Sequence, residues 1–155
     1  MVGRIETRLA ELGITLPEPA APVANYVPFA VAGTLLVVSG QLPMRDGRIA
    51  VTGKIGAGVS IDQAREACRI AFLNVLAQAK AACGGDLDRI ARVVRLGGFL
   101  ACTPDFTQHA LAMNGASDLC VEVFGEAGRH ARTTIGVASL PADAAAEVEA
   151  MFLLG

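Results

Sequence analysis

The chain has 155 residues, the size of one domain, because single cores commonly span about 100 to 150 residues. A composition that is 53% hydrophobic and 18% charged excludes a disordered chain, and alanine supplies much of the apolar excess. A formal net charge of -2, one tyrosine and no tryptophan argue against the clustered basic surface of a nucleic-acid binder.

At the N-terminus "MVGRIETRLAELGI" is charged and amphipathic, unlike a secretory signal, and no apolar run approaches the roughly 18 residues of a membrane span. A cytoplasmic protein with no membrane partner is expected. Ile5, Leu9 and Leu12 recur at helical spacing before "LPEPAAP" breaks the pattern. Residues 1–21 therefore read as a short helix and an extended connector, 22–155 as the core, and 1–155 as a single domain. "FAVAGTLLVVSGQ" (29–41) predicts two strands broken at Gly33, and Asp46-Gly47 predicts a tight turn in a meander of short strands. Ser60 and Gln63 form a capping-box pattern, after which apolar residues from Ala64 to Ala79 recur at steps of three and four until Gly84 and Gly85. "RIARVVRLGGFLAC" predicts a strand. Thr103-Pro104-Asp105 then predicts a helix start with proline at its first position, the helix ending near Gly125 and burying Phe106, Ala110, Met113, Cys120 and Phe124. Two strands, about 132–140 and 146–154, close the chain around Pro141.

This order predicts an α+β fold: a mixed β-sheet with two helices on one face and one right-handed parallel crossover. "LLVVSG" and "AMFLLG" are apolar on both alternating faces. The helix-free side of the sheet is therefore expected to be covered, most simply by another copy of the chain.

Cys68, Cys83, Cys102 and Cys120 lack CxxC spacing and a histidine at ligand distance in sequence, so they read as small buried thiols, and no metal is expected. His109 is expected to be exposed on its helix. His130 is expected to make an interface or loop hydrogen bond, with a cleft acid or base as the alternative.

Strand interiors avoid ions, because an unpaired charge is costly to take out of water. Arg132, Glu147 and Glu149 thus need partners or a task. If the last two strands pair antiparallel, Glu147 lies level with about residue 138, roughly 20 Å from Arg132. Any cooperation between them would then cross a subunit boundary. An arginine fork suits a carboxylate, and a glutamate in a partly dry cleft can hold a proton. The same residues also fit a rim ion pair and a solvated strand end.

The stretch "ARTTIGVASLPADAAAEVEA" resembles the C-terminal signature of the Rid (YjgF-like) family: Ala-Arg-Ser-x-Val-x-Val, then Leu-Pro, then Glu-x-Glu-Ala. "NYVPFAVAGTLLVVSGQLP" resembles the family's tyrosine-containing strand leading into Ser-Gly-Gln-x-Pro, and "MNGASDLCVEVFGE" is similar to its asparagine-bearing helix. The three motifs run in collinear order from about residue 22 to the end. The resemblance implies a chorismate mutase-like homotrimer with three inter-subunit clefts. It also implies hydrolysis of small enamine and imine carboxylates, of the 2-aminoacrylate type, to 2-keto acids and ammonia. By position it implies that Arg132 binds the substrate carboxylate and that Glu147 positions or protonates the attacking water. Tyr26 would line the cleft, Asn114 would line it or fill a packing defect, and the backbone around Gly40 and Thr134 would bind the amino or imino group. No metal or organic cofactor is implied. Thr134 stands where the deaminases often carry cysteine, and "ANY" replaces the usual Gly-Pro-Tyr. The N-terminal helix and "GEAGRHARTTIG" resemble a longer branch of the family. A trimer that binds small carboxylates or keto acids without turnover is the second reading. Ribonuclease activity is a third, disfavoured by the acidic pI and sparse aromatics.

Overall fold

Gly3 has no side chain to cap the helix that follows it, so α1 (Arg4–Glu11) is capped from a distance. In the computed structural model, which describes residues 1–155, the Asp88 carboxylate accepts hydrogen bonds from the Arg4 and Ile5 amides at 2.7 and 2.8 Å. Those bonds hold the Asp88 carboxyl below its ordinary range and account for the convergence of Glu6, Asp86 and Asp88 at this helix start. Ile5 and Leu9 of α1 belong to the same buried cluster as the sheet, so the N-terminal helix is part of the core rather than an appendage.

Gly33, at φ 61°, turns β1 (Phe29–Ala32) into β2 (Leu35–Gln41). Asp46 and Gly47 both take positive φ between β3 (Met44–Arg45) and β4 (Arg48–Ile49), the tight turn the sequence predicts. A short pairing of β5 (Lys54–Ile55) with β6 (Gly58–Val59) leads into α2 (Ile61–Ala82). The capping box is present: the Gln63 amide donates to Ser60 Oγ at 3.1 Å, and the Ser60 amide donates to Gln63 Oε1 at 2.9 Å.

After β7 (Ile90–Ala101) the chain departs from expectation. The Phe106 amide closes a turn on the Thr103 carbonyl at 3.1 Å, and Thr103 holds the Asp105 carboxyl below its usual range. These residues shape a turn instead of capping a helix, so α3 begins later, at His109, and runs to Phe124. Met113, Cys120 and Phe124 are buried as expected, Phe106 is half-buried, and Ala110 is exposed.

The main sheet has the order β1-β2-β9-β7-β8, with β8 spanning Ala131–Val137 and β9 spanning Ala146–Leu154. β8 runs parallel to β7, and every other pairing in this sheet is antiparallel. The last two strands are therefore not neighbours, because β7 lies between them. This corrects the expected pairing: Glu147 is level with Phe99, and through it with Ile135, rather than with residue 138.

Both long helices lie on one face. β9 alternates accordingly, with Ala146, Val148, Ala150, Phe152 and Leu154 buried beneath them. Gly115 of α3 is pressed against the Arg65 carbonyl of α2, where a Cβ would overlap that backbone. The buried alanines of the two helices, such as Ala67 and Ala116, suit so close an approach. No helix covers the opposite face, where Leu35, Val37, Phe99, Ile135, Met151 and Leu153 sit in register; Ile135 and Leu153 are 47% and 40% exposed. No helix is long and apolar enough to cross a membrane.

Candidate functional site

Residues paired across strands share a face of the sheet. Arg132 pairs with Leu96, which pairs with Ala150, and this row points toward the helices. Arg132 Nη1 donates to Asn114 Oδ1 at 2.8 Å and to Ser117 Oγ at 3.1 Å, both on α3. Its two Nη1 hydrogens are thereby used, while the Nε and Nη2 hydrogens make no hydrogen bond within the chain. Those remaining donors form the parallel pair that recognises a carboxylate side-on. Ser117 was not singled out from the sequence, yet it lies one helical step from Asn114 at i+3, a spacing that places both on one face.

Thr134 lies two residues further along β8 on the same face, level with Gly98, and its buried Oγ1 has no hydrogen-bond partner. Gly98 leaves the space that Met113 fills. His130 is half-buried and bonded, with Nδ1 2.6 Å from the Gly128 carbonyl and Nε2 2.9 Å from Ser117 Oγ, as a loop hydrogen-bonding role requires. Burial, aided by the neighbouring Arg132 charge and opposed by the Gly128 bond, lowers its pKa. His109, expected to be exposed, is half-buried edge-on to Phe106, with Nε2 3.8 Å from Cys102 Sγ. The other three cysteines are buried, and desolvation pushes the Cys68 and Cys120 thiols up to about 12.

Glu147 is on the other face. Between the pairs Val38/Ala150 and Gln41/Val148, β2 places Ser39 and Gly40 opposite the single residue Glu149, which is a β-bulge. Ser39 Oγ donates to the Val27 carbonyl at 2.7 Å and the Ser39 amide to the Pro28 carbonyl at 2.9 Å, tying the segment after Tyr26 to the bulge. A cleft of about 150 Å³ results, lined by Tyr26, Pro22, Gly40, Gln41, Leu42 and Met44. The Glu147 carboxylate lies over Gly40, where any side chain would collide with it. Burial first, and the Glu149 charge second, raise the Glu147 pKa. Glu149 has its partner in Arg95, at 3.1 Å, and Gly97 leaves room for both.

The chain thus brings the expected residues into two separate groups: Arg132, Asn114 and Thr134 beside α3, and, at the β2/β9 bulge, Tyr26 and Gly40 lining the cleft with Glu147 over Gly40. Arg132 and Glu147 are separated by two strand spacings, about three residues along the strands, and the thickness of the sheet. A groove of about 490 Å³ between α1 and the end of α3 contains none of these residues.

The fold and the positions of these motifs define an α+β protein of the YjgF type. A family model described as "YjgF/chorismate mutase-like, putative endoribonuclease" matches residues 6–152. The chain is 48% identical over 150 residues to protein TCP17 of Trypanosoma cruzi, covering 96% of this chain and 93% of the relative. It resembles the crystal structure of Atu1372 from Agrobacterium tumefaciens, a protein described as of unknown function, at 51% identity and TM-score 0.91, over 97% and 92% of the two chains. A structure from Shewanella oneidensis, described as a "putative endoribonuclease", is 40% identical with TM-score 0.94, over 97% and 99%. The chain belongs to the YjgF/chorismate mutase-like family.

Proposed function

We propose that this protein is a homotrimer whose inter-subunit clefts hydrolyse small imine and enamine carboxylates to 2-keto acids and ammonia. The observation that carries this reading is the guanidinium of Arg132, anchored through Nη1 by α3 and keeping its Nε and Nη2 donors for a carboxylate. Glu147 supports it as a partly buried carboxyl whose raised pKa lets it hold a proton more readily than a free carboxylate does. The two lie on opposite faces of one sheet, so a cleft using both needs Arg132 from one protomer and Glu147 from the next, and the apolar uncovered face suits such an assembly.

In this scheme the enamine is first tautomerised to the imine. Arg132 holds the substrate carboxylate, and the carbonyls near Gly40 and Thr134 orient the nitrogen. Glu147 takes a proton from water as the water oxygen bonds to the imine carbon and passes it to nitrogen, giving a carbinolamine. It then moves the new hydroxyl's proton to nitrogen as the carbon–nitrogen bond breaks, so that ammonia leaves and the carbonyl of the keto acid forms. Positioning and proton transfer are all that this hydrolysis asks of the protein, so the chain's own residues suffice.

The test is ammonia release from 2-iminopropionate generated in situ by an amino-acid oxidase. Wild type should accelerate it, while Arg132→Ala and Glu147→Ala, at matched oligomeric state, should each lose about 100-fold or more. Saturable binding of a keto acid by a wild type that gives no acceleration would replace the catalytic reading with a carboxylate-binding one. RNA cleavage that survives purification and disappears in a cleft variant would favour the ribonuclease wording attached to relatives.

A further inference from the structure

A carbonyl oxygen only accepts hydrogen bonds, so the 2.6 Å contact between Gly128 and His130 Nδ1 puts the ring proton on Nδ1. Nε2 of the neutral ring is then an acceptor, and the Ser117 hydroxyl 2.9 Å away must donate to it. With its one hydrogen so committed, Ser117 Oγ meets Arg132 Nη1 at 3.1 Å only as an acceptor. Every link in this chain has a single polarity: Arg132 gives to Ser117, Ser117 to His130, and His130 to the Gly128 backbone. Partial burial and the adjacent guanidinium charge keep the ring neutral, as that polarity demands.

The carbonyl that ends the chain is itself fixed. Gly128 also accepts from the buried Cys120 Sγ, at 3.3 Å, and its close approach to the Cys120 carbonyl leaves no room for a Cβ. The segment between α3 and β8 is thereby tied to α3, and the orientation of the His130 ring follows from it. At Arg132 the chain supplies one of the two Nη1 acceptors, and Asn114 supplies the other. A guanidinium is planar, so two anchors on Nη1 set the direction of its Nε–Nη2 edge.

We propose that Ser117 and His130 are positioning residues that aim the Nε–Nη2 edge of Arg132 at the carboxylate of the ligand. The inference rests on Arg132 being the carboxylate anchor. Acting through Arg132 rather than on the reacting atoms, both bear on affinity rather than on the chemical step.

Two measurements on the full chain test it. A long-range proton–nitrogen NMR spectrum of histidine-labelled protein at pH 7.5 should show His130 protonated on Nδ1; an Nε2–H ring, the commoner form in water, overturns the proposal. Calorimetric titration with 2-oxobutanoate should show Ser117→Ala and His130→Ala binding about tenfold more weakly. In steady state KM should rise while kcat holds. His130→Gln, whose amide reaches the position of Nε2 and can accept from Ser117, should recover most of the affinity; His130→Asn, which reaches only toward Gly128, should not. If Arg132→Ala abolishes binding while Ser117→Ala and His130→Ala leave it unchanged, the positioning role falls and the anchor stands. If Arg132→Ala leaves binding intact, the anchor falls, and the positioning role with it.

Discussion

Gly40 and Glu147 show how one residue makes another usable. A carboxylate laid over a strand needs a position without a side chain beneath it, and the bulge at Ser39 and Gly40 supplies one. The partly buried carboxyl then carries a stability cost. Its folded pKa lies above the ordinary 4.5, so this group's contribution is fully present below pH 4.5 and is lost as pH rises through the raised value. Glu147→Gln should therefore raise the urea midpoint at pH 7, at equal protomer concentration, with the gain shrinking toward pH 4, while activity falls about 100-fold or more. An identical shift of the midpoint at both pH values would mean that Glu147 carries no such burden. Arg132 and Glu147 stood out in the sequence because charge is chemically unusual inside strands, whereas Gly40 was marked only by the family resemblance. Ser117 was not, because a serine in mid-helix carries no signal until the strand facing it is known.

At the scale of elements, periodicity read both long helices and all five strands of the main sheet, because burial on one face leaves a repeat in the sequence. It missed which strands are neighbours. A short connection around Pro141 suggests a hairpin, but Ala142 and Asp143 adopt positive φ and carry the chain past β7, which is already paired with β8 through the α3 crossover. The start of α3 was misplaced for a related reason: Thr103 and Asp105 have the same chemistry in a turn as in a cap. The contact between the helices gives a prediction of unusual sign. Gly→Ala inside a helix ordinarily stabilises by about 0.5–1 kcal/mol. At Gly115 the new methyl would meet the Arg65 carbonyl and push α2 from α3, so Gly115→Ala should destabilise by about 1–3 kcal/mol in chemical denaturation. A stabilised variant would contradict the close packing.

For the whole molecule, the uncovered sheet face is the feature that a lone protomer leaves unexplained. Half-buried and exposed apolar side chains on this face of four strands favour a second copy of the same surface or of its neighbour. Leu153→Lys should shift sedimentation from trimer toward monomer at micromolar concentrations, and an unshifted trimer would place the interface elsewhere. The central claim is that each cleft takes Arg132 from one protomer and Glu147 from the next. The most direct test is co-assembly of Arg132→Ala with Glu147→Ala protomers, followed by the imine assay. Neither parent has an intact cleft. In a randomly mixed trimer about a quarter of the clefts regain both residues, because each cleft draws on two independent protomers. Recovery of about one quarter of wild-type activity is expected; a mixture no more active than its parents would contradict the shared cleft.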